Sequence, residues 1–162
     1  MQSVPRARLS FMMFLHFFVL GCTNPIMSVY LRQYLGFSGL QAGLILATGS
    51  VAALAGPFMG SFVADRLLSA ERLFALNHLL GGLLLLGVYL SRDFLAVLLL
   101  GLFWMFFIGP CTSLANAVTF HHLPHKSGQF GIIRVWGTIG WIAVGWLFSF
   151  LWLRDGAGLP VP

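Results

Sequence analysis

Apolar residues run along this chain in five long blocks, at 9–31, 42–63, 73–90, 94–119 and 132–153, separated only by short polar intervals. Each block is close to or longer than the ~20 residues a helix needs to cross a bilayer's hydrocarbon layer. None shows the strict alternation of a membrane barrel strand, and lipid offers no partner to backbone N–H and C=O groups. The pattern therefore predicts five transmembrane helices. Short connections make each helix antiparallel to the next, with no linker and no soluble domain. Residues 1–162 are read as a single all-α integral membrane domain.

Composition strengthens this reading. Hydrophobic residues make up 59% of the 162 and charged residues only 8%, about a third of the ~25% usual in soluble domains. A soluble fold with this content would expose one continuous apolar patch. Disordered, fibrous, disulfide-rich secreted and nucleic-acid-binding classes are excluded on the same ground. The two cysteines, Cys22 and Cys111, fall inside apolar blocks and do not read as a disulfide framework. Arg6 and Arg8 ahead of an apolar run resemble a signal peptide, but that run is too long and lacks a small-residue cleavage site. It is expected to stay as the first span.

Net charge, +5 from nine Lys and Arg against four Asp and Glu, serves here as orientation information. One side of the alternation collects Arg6, Arg8, Arg66, Arg72, Lys126 and Arg134; the other has Arg32, Arg92 and Arg154. That bias places the N-terminus in the cytoplasm and, after five spans, the C-terminal tail on the outer side of the plasma (cytoplasmic) membrane.

Chemistry-bearing side chains are few. The carboxylates Asp65, Glu71, Asp93 and Asp155 all lie at block edges. No span offers an acid pair for hydrolysis or a buried carboxylate for a proton relay, so an enzyme is not expected. His16 and His78 are the titratable groups within spans, and a lone His there commonly bonds a nearby backbone group. His121-His122-Leu123-Pro124-His125-Lys126 clusters imidazoles, yet neither Cys nor carboxylate completes a metal shell. A solvated basic loop is expected, with no metal and no cofactor. In the first span Pro25 removes a backbone donor, so a kink is expected beside Thr23 and Asn24. Those two side chains either line a cavity or bond a neighbouring helix. Gly56 and Gly60, Gly81, Gly82 and Gly87, and Gly137, Gly140 and Gly145 supply small residues for close helix approach.

The fifth span is the most informative. Arg134, Thr138 and Trp141 stand at i, i+4 and i+7 and share one helical face, with Trp136, Ile139, Ala143 and Trp146 opposite. A planar guanidinium, a hydroxyl and an indole together suit a planar polar ligand, bonded at its edge and stacked on its face. The competing account is an arginine snorkelling to the cytoplasmic headgroups.

Two segments carry a family resemblance. Ser61-Phe62-Val63-Ala64-Asp65-Arg66, followed by Glu71-Arg72, resembles the Asp-Arg signature between helices 2 and 3 of the major facilitator superfamily; Ser61 and Leu68 stand where that signature has glycine. Within the superfamily, Ala64-Asp65-Arg66, Ser69-Ala70-Glu71-Arg72, His78-Leu79-Leu80-Gly81-Gly82 and above all Arg134-Val135-Trp136-Gly137-Thr138-Ile139-Gly140 resemble the nucleoside:proton symporters. Phenylpropionate-type permeases have a similar Arg-x-Trp-Gly stretch. The resemblance covers the whole chain but only the first five of the family's twelve helices. It implies an N-terminal half-bundle of a secondary transporter, with Arg134, Thr138 and Trp141 contacting nucleoside and Thr23 and Asn24 further candidates for the same cavity. Trp141 stands where Phe is common. Asp65, with Arg66, Glu71 and Arg72, would belong to a conformational gate. Implied partners are a nucleoside, protons, the bilayer, and a missing C-terminal half or a complementing chain. Transport of a phenylpropionate-like acid and a truncated, non-transporting membrane scaffold are the alternatives.

Overall fold

The computed structural model describes residues 6–66, 68–123 and 127–150, apart from the side chains of residues 53, 55–66 and 127. Among them the regular structure is helical throughout: α1 (Arg6–Val29), α2 (Gly39–Arg66), α3 (Ala70–Leu90), α4 (Phe94–Ile108), α5 (Cys111–His121) and α6 (Phe130–Phe148). Among the described residues four stretches are long and apolar enough to cross a membrane: Arg6–Tyr34, Ala70–Leu90, Phe94–His121 and Phe130–Phe148; the described part of α2 adds the apolar segment Gly39–Ala52.

Local chemistry sets the helix boundaries. α1 passes through Pro25 without ending and loosens into a π-helical turn, Tyr30–Tyr34. Gly36, at φ +68°, then turns the chain, a left-handed conformation that glycine adopts without a Cβ clash. The N-terminus of α2 carries a reciprocal capping box: Ser38 N–H donates to Gln41 Oε1 at 2.9 Å, and Gln41 N–H to Ser38 Oγ at 3.2 Å. Asp93 caps α4 by accepting from Ala96 N–H at 3.0 Å. The fourth apolar block is divided in two. Gly109 and Pro110 form a turn between α4 and α5, because Pro110 has no N–H to give the preceding turn and suits the first position of a new helix.

The chain divides into two compact units. The first joins residues Met1–Gly36 to Thr119–Pro162, and the second is Phe37–Val118. In the second unit α4 packs against both α2 and α3. Gly101 faces Ile45 and Gly49 faces Met105, so α2 and α4 run parallel. Gly81 lies against Ile108 and Trp104 while Gly87 lies against Leu100, so α3 runs antiparallel to α4. A Cβ on Gly81 would fall 2.7 Å from Ile108 Cδ1, whereas Gly82 faces open space. Asn77, buried in α3, hydrogen-bonds Cys111 at the start of α5.

The first unit is built on the pairing of α1 with α6. Its seam on α6 is Ile133, Gly137, Gly140 and Val144, all buried at helical spacing. Gly140 meets the Phe14 backbone, and Gly21 meets the Trp141 backbone and Val144, so the two helices run parallel, with Gly137 against the Phe17 ring. A Cβ at Gly140 would fall on the Phe14 carbonyl oxygen, and one at Gly21 would lie 2.5 Å from Val144 Cγ1. The backbones approach closely because these positions have no side chain. Trp136, Ile139 and Trp146 face outward, as apolar side chains can where the surrounding medium is lipid.

Candidate functional site

The α1–α6 seam positions the polar face of α6. Arg134, Thr138 and Trp141 flank the buried stripe on one side, one turn apart in succession, because the seam residues and these three differ by about a quarter of a helical turn. Arg134 is half-buried, Thr138 is exposed and the Trp141 indole is 39% exposed.

The Arg134 guanidinium sits 4.0 Å from the centroid of the Phe17 ring on α1, a cation–π contact. Among the described residues no carboxylate or carbonyl accepts from it. An arginine turned toward headgroups would extend along its own helix toward the cytoplasmic end. Here the cation is held against a neighbouring helix by an aromatic face. Among the described residues its N–H groups have no acceptor, and they stand beside an exposed hydroxyl and a partly exposed indole. That set can bond the edge of a planar polar molecule and stack on its plane.

Thr23 and Asn24 behave differently from one another. Thr23 is buried, and its hydroxyl donates to its own helix, to Val19 O at 3.1 Å and Leu20 O at 3.3 Å. Asn24 is exposed on α1, one turn beyond Gly21, the residue that abuts Trp141. Glu71 and Arg72 are exposed in the first turn of α3. Asp65 and Arg66 end α2, and their side chains lie outside the described residues, as do Pro124, His125 and Lys126.

His16 is fully buried, with the Phe17 ring edge-on to its own at 4.9 Å. His78 donates from Nδ1 to the Phe74 carbonyl at 2.9 Å. A groove of about 420 Å³ lined by Ala7, Ser10, Phe11, Phe14 and Trp136 opens on the side of α6 away from Arg134. Its walls are apolar apart from Ser10, and they offer a ligand no ionic partner.

Phe17 is the residue that sequence reasoning missed. Phe11, Phe14, Phe17 and Phe18 are equivalent apolar residues until the α1–α6 register is known. The glycines of the fifth block are the signal that some helix packs closely there, but nothing in the sequence says which helix it is.

A parallel pair of apolar helices meeting through glycines, with an arginine held between them, is packing that a multi-pass membrane bundle uses. The comparisons agree. Residues 4–159 match the family described as nucleoside H+ symporter. YegT of Escherichia coli (strain K12) is 33% identical over 145 residues, covering 90% of this chain and 34% of that protein. The xanthosine permease of the same organism is 29% identical over 157 residues, covering 91% of this chain and 36% of its own length. A crystal structure of the nucleoside transporter NupG superposes with a TM-score of 0.85 at 28% identity, over 90% of this chain and 37% of that one. The chain belongs to the nucleoside H+ symporter family and has the major facilitator fold. It spans about a third of the length of the relatives it matches.

Proposed function

We propose that this chain supplies one wall of the substrate site of a proton-driven nucleoside uptake transporter in the cytoplasmic membrane, working by alternating access. Arg134 donates to carbonyl or hydroxyl oxygens of the nucleoside, Thr138 adds a hydroxyl, and Trp141 stacks on the base. Asn24 is a further contact and Thr23 a supporting one. Asp65, Arg66, Glu71 and Arg72 act at the cytoplasmic ends of α2 and α3 as part of the gate. The N-terminus is cytoplasmic. The facing wall comes from further helices, on the same polypeptide or a complementing chain.

The observation that carries this reading is the Arg134 guanidinium, half-buried beside an aromatic ring with no acceptor among the described residues. Donors left unmade in an apolar medium are costly, and a polar ligand removes that cost. The same feature supports a second reading. A guanidinium bonds a carboxylate through two parallel N–H···O contacts, so a phenylpropionate-like acid would also suit Arg134 beside an indole.

The test is equilibrium binding of a panel of tritiated nucleosides to the chain completed to twelve helices by the remainder of NupG, in lipid nanodiscs, with phenylpropionate as competitor. Saturable nucleoside binding that Arg134→Ala abolishes is the expected result. Binding that ignores the substitution removes Arg134 from the site. Preference for phenylpropionate selects the second reading, and no binding of either solute leaves a non-transporting scaffold.

A further inference from the structure

The contact between Arg134 and Phe17 involves a third residue. Gly137, one turn after Arg134, lies where ring and cation meet. A Cβ built there would fall 2.6 Å from Phe17 Cδ2, 3.1 Å from Phe17 Cε2 and 2.9 Å from Arg134 Nη1. The smallest side chain would push the ring, the guanidinium or both away. Glycine at 137 therefore does more than bring two backbones together, since it makes the space in which a side chain of α6 folds back onto a ring of α1.

Holding an arginine in this way has a chemical consequence. An ion pair or a carbonyl would occupy some of its N–H donors, whereas a ring attracts the cation through its face and consumes none. It also restrains a long side chain that otherwise loses much rotamer freedom when it binds. We infer that Phe17 and Gly137 are positioning residues for substrate recognition: the Phe17 ring fixes the Arg134 guanidinium and Gly137 gives it room, so that its donors are pre-aimed at a planar polar solute. This rests on the nucleoside reading for its ligand, but the stacking can be tested without one.

The test uses the full chain in nanodiscs of phosphatidylethanolamine and phosphatidylglycerol, labelled with nitrogen-15 arginine, with the Arg134 side-chain signal assigned by its loss in Arg134→Lys. Three variants are compared: Phe17→Leu, Phe17→Trp, and ring-trifluorinated phenylalanine at position 17. The last keeps the ring's shape and weakens its electrostatic face, so it stays informative even if Phe17→Leu fails to fold. The expected result is an Arg134 N–H proton shifted upfield by the ring current, a shift lost in Phe17→Leu and kept in Phe17→Trp. Nucleoside affinity in the twelve-helix form is expected to fall about three- to tenfold with the fluorinated ring and to be restored by Trp.

An Arg134 signal indifferent to Phe17→Leu or, should that variant not fold, to ring fluorination overturns the stacking. A signal that moves while affinity does not, in a chain whose binding Arg134→Ala abolishes, overturns the positioning role and leaves the nucleoside reading standing. Absence of nucleoside binding in the twelve-helix form with positions 17 and 134 unaltered overturns that reading and the role assigned to Phe17 in it, and the signal still decides the stacking.

Discussion

Arg134 is expensive where it stands. A guanidinium inside an apolar span is tolerated when it snorkels, pairs or serves a ligand. The ring of Phe17 meets part of that requirement, because cation–π attraction strengthens where water is excluded. Lysine keeps the charge but loses the planar fork and stacks less well, so Arg134→Lys is expected to weaken nucleoside binding about tenfold or more. Thr138→Val, which keeps the shape and removes one hydroxyl, is expected to cost about 1 kcal/mol, roughly fivefold. Isothermal binding measurements on the two variants in the twelve-helix form check both expectations; a larger loss from Thr138→Val than from Arg134→Lys contradicts them. At this scale the sequence was informative about α6 alone. The i, i+4, i+7 spacing of Arg134, Thr138 and Trp141 is a property of one helix and can be read off the chain. Phe17 was hidden because its partner lies more than a hundred positions away and three other phenylalanines on α1 compete for the role.

Among the helices, glycine position decides what is packed and what is free. Gly140 and Gly145 look alike in the sequence, yet a Cβ at Gly140 meets the Phe14 backbone while one at Gly145 meets nothing. Backbone cannot yield as a flexible side chain can. Gly140→Ala is therefore expected to destabilise the α1–α6 pair by about 1–3 kcal/mol. Gly145→Ala is expected to be neutral or to stabilise by up to about 1 kcal/mol, since alanine favours the helix. Thermal aggregation of the detergent-solubilised chain, followed by size-exclusion chromatography, ranks the two; equal melting of both variants would contradict the close contact at Gly140. Apolar length alone made the helical blocks legible. It did not reveal the turn at Gly109 and Pro110, because the apolar run continues through it and a proline at the start of a new helix looks the same as one inside an old one. The expected consequence of Pro25 was likewise incomplete: α1 stays helical across it, and Thr23 bonds the Val19 and Leu20 carbonyls within its own helix.

For the molecule as a whole, helix direction links charge to function. In one unit α1 runs parallel to α6; in the other α2 runs parallel to α4, with α3 opposed. These directions are the ones that strict alternation across a bilayer requires, with α4 and α5 together making one crossing. Charge then selects between the two orientations: six Lys and Arg fall on one side and three on the other, and in the proposed topology the richer side faces the cytoplasm. Fusions of alkaline phosphatase, active only outside, and green fluorescent protein, fluorescent only inside, test this. A fusion after Arg92 is expected to give phosphatase activity, and one after Leu123 fluorescence. Replacing Arg6 and Arg8 by alanine lowers the bias from six against three to four against three. That variant is expected to insert in both orientations, with phosphatase activity appearing at the Leu123 junction. Should it keep a single orientation, the two N-terminal arginines do not set the topology. Should the unaltered chain give phosphatase activity at Leu123, the polar start of α6 lies outside, and the assignment of Asp65, Arg66, Glu71 and Arg72 to a cytoplasmic gate falls with it.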